Sequence, residues 1–221
     1  MAGPETVGIQ IIVIVFMVLA GTNFGVLHMV MRRQWRKLWA DTELRVYLSI
    51  LFVGCAIVVA SLLINGGTMF YIDDTQSTIT AGNATIEGVF TVVSQQSTTG
   101  FTTVDYNVWP FLAKSVIIAV MFIGGCAGST AGGIKVVRVW ITLRVIWHQL
   151  TRVTNPAVVR PIRISKQALE PEQMIGAVTY TFTIVLLFAL GAIVIQVLEQ
   201  DQCGFVTAAT ASLATLCTVG P

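Results

Sequence analysis

The sequence predicts an all-α polytopic membrane protein, and three observations support that fold class. Of its 221 residues, 55% are hydrophobic and only 11% are charged, and the mean hydropathy is +0.79. In soluble proteins about a quarter of the residues are charged. The apolar residues form long blocks, and nearly all basic residues lie between the blocks. A soluble domain, a disordered chain and a secreted disulfide scaffold are therefore excluded.

Four long apolar blocks are candidates for membrane-crossing segments. They occupy residues 7–31, 46–64, 111–123 and 174–198. A helix needs about 20 apolar residues to cross the hydrocarbon core, so we expect the first, second and fourth blocks each to cross as one helix. The third block is shorter and meets a glycine-rich run, which predicts a helix that breaks at membrane depth and resumes up to residue 150.

Two shorter apolar segments, too short to cross the membrane, predict two short helices at 86–96 and 204–214. Each follows a predicted span, and each is followed by an element rich in threonine and glycine, at 97–102 and 217–220. We call these the first and second Thr-Gly elements. Their equivalent positions indicate an internal repeat of span, short helix and Thr-Gly element. The proline-containing segment 156–173 predicts a loop.

The positions of the basic residues predict the orientation of the chain. Five of the 13 Lys and Arg residues lie within 32–45, seven lie within 135–166, and only Lys114 lies elsewhere. Basic loops face the cytoplasm, so we expect 32–45 and 135–166 inside and the N-terminus and both Thr-Gly elements outside. This bias also explains the basic runs without any binding of nucleic acid.

The two Thr-Gly elements are the candidate ion site. Non-helical backbone at membrane depth is tolerated where it is buried in protein or lines water, and rings of backbone carbonyls can replace the hydration shell of potassium. Thr218-Val219-Gly220 matches the core of a potassium-channel filter, and glycine at 100 and 220 favours potassium over sodium. A single Thr-Thr-Gly triplet is typical of a turn, but two in equivalent positions favour a filter. The candidate filter residues are Thr98, Thr99, Gly100, Thr218, Val219 and Gly220, with potassium at Thr98, Thr99, Thr218 and Val219.

The glycine-rich loop, defined here as residues 124–133, is the candidate gate. Small residues can also serve close helix packing, but five glycines in ten residues destabilise a helix by about 1 kcal/mol each and favour a flexible loop. Lys135 follows it and is either an electrostatic barrier near the pore or a lysine at the cytoplasmic interface. The candidate gating residues are Gly124, Gly125, Gly128, Ser129, Thr130, Gly132, Gly133 and Lys135.

Several of these segments resemble a known family. Residues 97–102, 105–106, 109–110 and 121–136 resemble the third repeat of the Trk/Ktr/HKT potassium transporter superfamily, with the TrkH type most similar. Residues 20–25 resemble the end of the second repeat and 174–221 the start of the fourth, although Cys217 and Thr218 depart from the usual fourth filter.

The resemblance implies helix–pore-loop–helix repeats of a potassium-channel-like pore with a broken inner helix. Residues 1–40 would end the second repeat, 41–155 would form the third, 156–173 would be a cytoplasmic loop, and 174–221 would begin the fourth. With two of four filter elements, the chain is expected to be a fragment. The implied function is potassium uptake across a bacterial inner membrane.

The implied partners are membrane lipid, a second copy of the chain in a homodimer and a cytosolic nucleotide-binding regulatory subunit. Nucleotide would be bound only by that subunit. The chain itself is expected to hold no cofactor, with potassium as the substrate.

Two other classes of protein remain as alternatives. One is a nonconducting membrane assembly fragment that needs complementing chains. The other is an intramembrane enzyme, for which Ser97, Asp105, Ser129 and His148 are the candidate catalytic residues. Ser129 and His148 lie nearly 30 Å apart if the segment between them is helical. The sequence therefore places no general base close to a candidate nucleophile.

Overall fold

The computed structural model describes residues 4–73, 75–154, 163–164, 167–199 and 204–220. Within them the chain is almost entirely helical, which confirms the predicted all-α class. The helices are α1 (Pro4–Ala20), α2 (Phe24–Met31), α3 (Trp35–Ala40), α4 (Thr42–Asn65), α5 (Ala81–Gln96), α6 (Phe111–Phe122), α7 (Val136–Thr154), α8 (Pro171–Leu198) and α9 (Phe205–Leu216). Two small antiparallel hairpins join β1 (Thr68–Phe70) to β2 (Gln76–Thr78) and β3 (Arg163–Ile164) to β4 (Gln167–Ala168).

The expectation of one continuous helix over 7–31 is wrong. The helix ends at Ala20 and a second helix begins at Phe24, bent by 109° from the first. Asn23 caps the second helix, since its side-chain oxygen accepts a hydrogen bond from the Gly25 N–H at 2.7 Å. An N-cap side chain stabilises a new helix start even inside an apolar block.

The short helix expected at 86–96 is longer than predicted and begins at Ala81. Thr80 and Asn83 form a reciprocal capping box, in which each side chain binds the other residue's backbone N–H. Such a box adds a polar first turn that apolar periodicity does not reveal.

The predicted loop at 156–173 and the residues that follow α8 lie partly outside the described residues. The described part of 156–173 contains the β3–β4 pair and the first turn of α8, which starts at Pro171. Proline suits the first helical position because its missing N–H would be unpaired there anyway. Cys203 also lies outside the described residues, whereas Cys55, Cys126 and Cys217 are buried.

Helix α5 occupies the centre of the fold. It packs against α1, α4 and α6, and its side chains form one apolar core with residues of those helices and of α9. Fully buried members of this core include Val58 of α4, Val92 of α5 and Leu213 of α9. Helix α8 packs against α7 and α9. The C-terminal ends of the two short helices α5 and α9 thereby come to the same region.

Among the described residues, α4 and α8 are each long and apolar enough to cross a membrane, and the bent pair α1–α2 is a third candidate by length and composition. Most large apolar side chains of α8 are exposed, among them Phe182, Leu190 and Val197. An apolar surface of this kind favours hydrocarbon, or further protein within it, over water.

Candidate ion filter and gate

The two Thr-Gly elements end their helices with the same backbone geometry. In each, the third residue's N–H reaches back five residues and the second residue's N–H reaches back three, as in a Schellman cap. The paired bonds are Thr98 N–H to Gln95 C=O (3.2 Å) with Thr218 N–H to Thr215 C=O (3.2 Å), and Thr99 N–H to Ser94 C=O (3.0 Å) with Val219 N–H to Ala214 C=O (2.9 Å). The internal repeat therefore extends to individual hydrogen bonds.

Thr98 and Thr218 occupy a strained backbone conformation. Both have a φ of 55°, in the left-handed region that β-branched residues rarely adopt. Glycine or asparagine usually occupies this position of a helix cap. Strain of this kind costs about 1–3 kcal/mol and concentrates at functional sites, so the same outlier at both repeat positions marks these elements as more than turns.

The two elements touch each other at their glycines. A Cβ added to Gly100 would lie 2.5 Å from the Cα of Gly220, and Gly100 also has a positive φ of 78°. In the opposite direction, a Cβ on Gly220 would lie 3.3 Å from the Cα of Gly100. Gly100 is therefore the more restrictive of the two positions.

The electrostatics of this junction favour a cation. The C-terminal ends of α5 and α9 meet where Gly100 contacts Gly220, and a helix C-terminus carries a partial negative charge. Neither Thr-Gly element contains a basic residue. Two converging helix ends supply negative potential without a carboxylate that would bind the ion too tightly to release it.

The break between α6 and α7 is a closed loop. Its two ends pair, since the Gly124 N–H donates to the Ile134 C=O at 3.1 Å and the Ile134 N–H donates to the Phe122 C=O at 3.0 Å. A Cβ on Gly124 would come within 2.0 Å of the Gly132 carbonyl oxygen. The glycine-rich loop is thus folded tightly on itself, and the glycines at its base are sterically required.

The C-terminal end of the glycine-rich loop, at Gly132, lies against both Thr-Gly elements. The Gly132 N–H donates to the Thr98 hydroxyl oxygen at 2.7 Å. A Cβ on Gly132 would lie 2.0 Å from the Thr218 hydroxyl oxygen and 2.2 Å from the Cys217 carbonyl oxygen. The structure therefore brings together the residues predicted for the filter and those predicted for the gate.

The bend between α1 and α2 anchors the other side of the loop. The Cys126 N–H donates to the Gly21 carbonyl at 2.9 Å, and the Thr130 hydroxyl donates to the Ala20 carbonyl at 3.1 Å. In return, the Phe24 N–H donates to the Gly128 carbonyl at 3.2 Å. Interrupting a helix frees backbone groups that need partners, and the loop provides them. The Gly-Thr-Asn run at 21–23 was the available sequence signal for this bend.

Two charged side chains hold the loop in place. The Lys135 ammonium folds back and donates to the Ala131 carbonyl. The Glu43 carboxylate, at the start of α4, accepts a hydrogen bond from the Ala127 N–H. Lys135 was predicted as part of the candidate gate, whereas sequence reasoning missed Glu43.

A cavity of about 430 Å³ lies beside the second Thr-Gly element, between α6 and α9, and Tyr106 and Gly220 are among its lining residues. Burial, with a contribution from the Asp105 carboxylate, raises the pKa of Tyr106 above its ordinary value. The Lys114 ammonium, also at this cavity, donates to the Asn107 carbonyl at 3.0 Å.

Three of the four residues considered for an enzyme, Ser97, Asp105 and Ser129, form local hydrogen bonds. The Ser97 and Thr99 hydroxyls are hydrogen-bonded at 2.8 Å, Asp105 accepts the Asn107 N–H at 2.9 Å, and the Ser129 hydroxyl donates to the Cys126 carbonyl at 2.6 Å. His148 lies on α7. Within the described part of the chain, neither serine is hydrogen-bonded to His148 or Asp105, so the structure does not assemble a nucleophile with its base.

Comparison with known proteins identifies the family. The family model described as "TrkH: Cation transport protein" matches residues 4–221. The chain belongs to the TrkH family. It is 31% identical over 216 residues to the Trk system potassium uptake protein TrkH of Escherichia coli K12, which covers 96% of the chain and 42% of that relative. It is 30% identical over 224 residues to TrkH of Halomonas elongata, which covers 98% of the chain and 42% of that relative.

A solved member of the TrkH family has the same fold. The crystal structure of the potassium transporter TrkH from Vibrio parahaemolyticus superimposes with a TM-score of 0.77 at 26% sequence identity, covering 100% of this chain and 45% of that chain. The chain thus spans less than half the length of the TrkH relatives it matches.

Proposed function

We propose that this chain forms part of the pore of a potassium uptake protein in the bacterial inner membrane. The observation that carries the proposal is the contact of two strained, equivalently bonded Thr-Gly elements at the C-terminal ends of two short helices. Potassium then passes carbonyls of Thr98 and Thr99 from one repeat and of Thr218 and Val219 from the next. Gly100 and Gly220 allow the two backbones to approach.

The glycine-rich loop acts as the gate on the inner side of this filter. Its contacts with Thr98, Thr218 and Cys217 support that role, because a loop in this position obstructs the path of an ion leaving the filter. Lys135 donates a hydrogen bond to a carbonyl of the loop and adds a positive charge near the path. Opening requires the end of the loop at Gly132 to move away from both elements.

The proposed assembly follows from the repeat and from the charge pattern. Residues 1–40 end the second repeat, 41–155 form the third, 156–173 form a cytoplasmic loop and 174–221 begin the fourth, so the full-length protein supplies the other filter elements. The Thr-Gly elements and the N-terminus face outward, and the basic segments 32–45 and 135–166 face the cytoplasm. That basic surface suits a cytosolic nucleotide-binding subunit acting on a homodimer.

The test uses the full-length protein in cells that lack potassium uptake. Wild type is expected to restore growth at low potassium, and Gly100→Ser is expected to abolish or alter rubidium flux, because the new side chain would overlap the Gly220 backbone. Gly176→Ser is the matched control, since a Cβ there meets no atom within 4 Å. Unchanged rubidium flux and cation preference in Gly100→Ser would refute the filter assignment.

A further inference from the structure

Glu87 is a buried carboxylate in the middle of α5. Glu87 is 1% exposed and is the one charged residue of α5. The surrounding residues form the apolar core. Burying a charged or strongly polar group is costly unless it is hydrogen-bonded. A buried carboxylate that belongs to neither the candidate filter nor the candidate gate therefore requires an explanation.

Each oxygen of the Glu87 carboxylate has a separate partner. One oxygen accepts a hydrogen bond from the Gln10 side-chain amide of α1 at 3.0 Å, and the other accepts one from the Thr103 hydroxyl. Gln10 belongs to the preceding repeat, whereas Thr103 directly follows the first Thr-Gly element. Glu87 thus joins α5 both to a neighbouring helix and to the chain that returns from the candidate filter.

The returning chain is fixed on its other side by the β1–β2 hairpin. The Ile72 N–H donates to the Thr103 carbonyl at 3.2 Å, and the Asp105 N–H donates to the Phe70 carbonyl at 2.9 Å. Backbone bonds at the end of α5 hold the start of the Thr-Gly element, and Glu87 holds its far end. The hydrogen bond to Thr103 thus ties the residue that follows the Thr-Gly element back to the helix that precedes the element.

The second repeat position carries no carboxylate that matches Glu87. The matching cap bonds align Thr98 with Thr218, and the same alignment places Thr207 of α9 opposite Glu87. Thr207 is exposed and carries no charge. The carboxylate is therefore a feature of this repeat and not a requirement of the helix cap.

We propose, on the basis of the proposed filter function, that Glu87 is a positioning residue for cation selectivity. Its bond to Thr103 fixes where the carbonyls of the first Thr-Gly element lie relative to α5. Loss of that bond lets the returning chain move and allows the carbonyls to close around a smaller cation. The bond to Gln10 holds α1 and does not act on the element.

The test measures the ratio of rubidium to sodium flux through the full-length protein in liposomes. Thr103→Val removes the hydroxyl that donates to Glu87 and is expected to lower the ratio about tenfold, the factor that corresponds to about 1.4 kcal/mol and so to the lower end of what a hydrogen bond to a charged group contributes. Glu87→Gln keeps one acceptor oxygen but loses the charge, and is expected to lower the ratio by a smaller factor. Thr103→Ser retains the hydroxyl and is expected to restore the wild-type ratio. The double variant is expected to lower the ratio no further than Thr103→Val alone, because both substitutions act on one interaction.

Gln10→Leu is the matched control, since it removes the other bond to the same carboxylate. It is expected to lower the melting temperature and leave the flux ratio unchanged. An unchanged ratio in Thr103→Val, which preserves side-chain shape, overturns the proposal, as does a change in Gln10→Leu equal to that in Thr103→Val. A wild-type protein that conducts no rubidium overturns the proposed function and the role of Glu87 with it, whereas a conducting wild type with indifferent variants overturns only the role of Glu87.

Discussion

Replacing Gly132 by alanine is expected to drive the glycine-rich loop away from the filter and to raise cation flux. The added methyl group would lie 2.0 Å from the Thr218 hydroxyl oxygen and 2.2 Å from the Cys217 carbonyl oxygen. One side of this contact must move. The second Thr-Gly element is held by its helix-cap hydrogen bonds, whereas Gly132 is held to the first element by one hydrogen bond, to the Thr98 hydroxyl. The hydrogen bonds that anchor the rest of the loop, at Ala127, Gly128 and Thr130, do not involve Gly132. We therefore expect the Gly132 end of the loop to move.

The size of the effect follows from these contacts. Inserting a methyl group into a closely packed site costs about 1–3 kcal/mol. Displacing the loop breaks one hydrogen bond, which contributes about 1 kcal/mol. That second cost is the same in wild type and in the variant, so it does not change the comparison. The loop position against the Thr-Gly elements is thus destabilised by about 1–3 kcal/mol. The ratio of displaced to undisplaced loop therefore rises roughly 5- to 150-fold.

Rubidium flux through the full-length protein in liposomes measures this change, with the rubidium-to-sodium ratio recorded in parallel. Flux is expected to rise while the ratio stays at the wild-type value, because the N–H groups of both Thr-Gly elements keep their cap bonds to the helix carbonyls. Gly176→Ala is the control, since its Cβ meets no atom within 4 Å. Unchanged flux would show that the loop is no barrier, and a lower ratio would show that the filter moved instead.

Two further predictions concern the bonds that hold the loop. Thr98→Ala removes the acceptor of the Gly132 N–H and is expected to raise rubidium flux about two- to tenfold. Thr98→Ser keeps the hydroxyl and is expected to keep the wild-type flux. Equal flux in both variants would contradict the role of this hydrogen bond. Glu43→Gln weakens the bond from the Ala127 N–H and is expected to speed hydrogen exchange at that amide about tenfold. Exchange at the Leu44 amide, which donates to Asp41, is the internal control, and equal acceleration at both amides would indicate general loosening of the helix start instead.

The sequence was informative wherever the structure is locally encoded. Thr98 to Gly100 and Thr218 to Gly220 end their helices with bonds that span at most five residues, so similar short motifs predict similar geometry. Five glycines within residues 124–133 likewise mark a break in a helix without reference to other segments. These features could be located before any tertiary contact was known.

Contacts between distant residues could not be predicted in the same way. The bend at residues 21–23 is stabilised by carbonyls that accept bonds from a loop more than 100 positions later, as the Thr130 hydroxyl does. Glu43 and Glu87 bind partners 84 and 77 positions away. Apolar periodicity describes one helix at a time, so it reads residues 7–31 as a span and gives these carboxylates no role. The capping box at Thr80 was a local signal, but it precedes the apolar stretch that begins at Ile86.

The shared caps of α5 and α9 also separate the shape of the filter from its side-chain chemistry. Ser97 and Thr99 in one element stand where Cys217 and Val219 stand in the other, yet the backbone bonds agree to within 0.1 Å. Replacing a hydroxyl by a thiol or a methyl group thus leaves the backbone conformation unchanged. In the proposed pore, each Thr-Gly element can therefore vary in the side chains behind the backbone while the surface presented to the ion keeps its form.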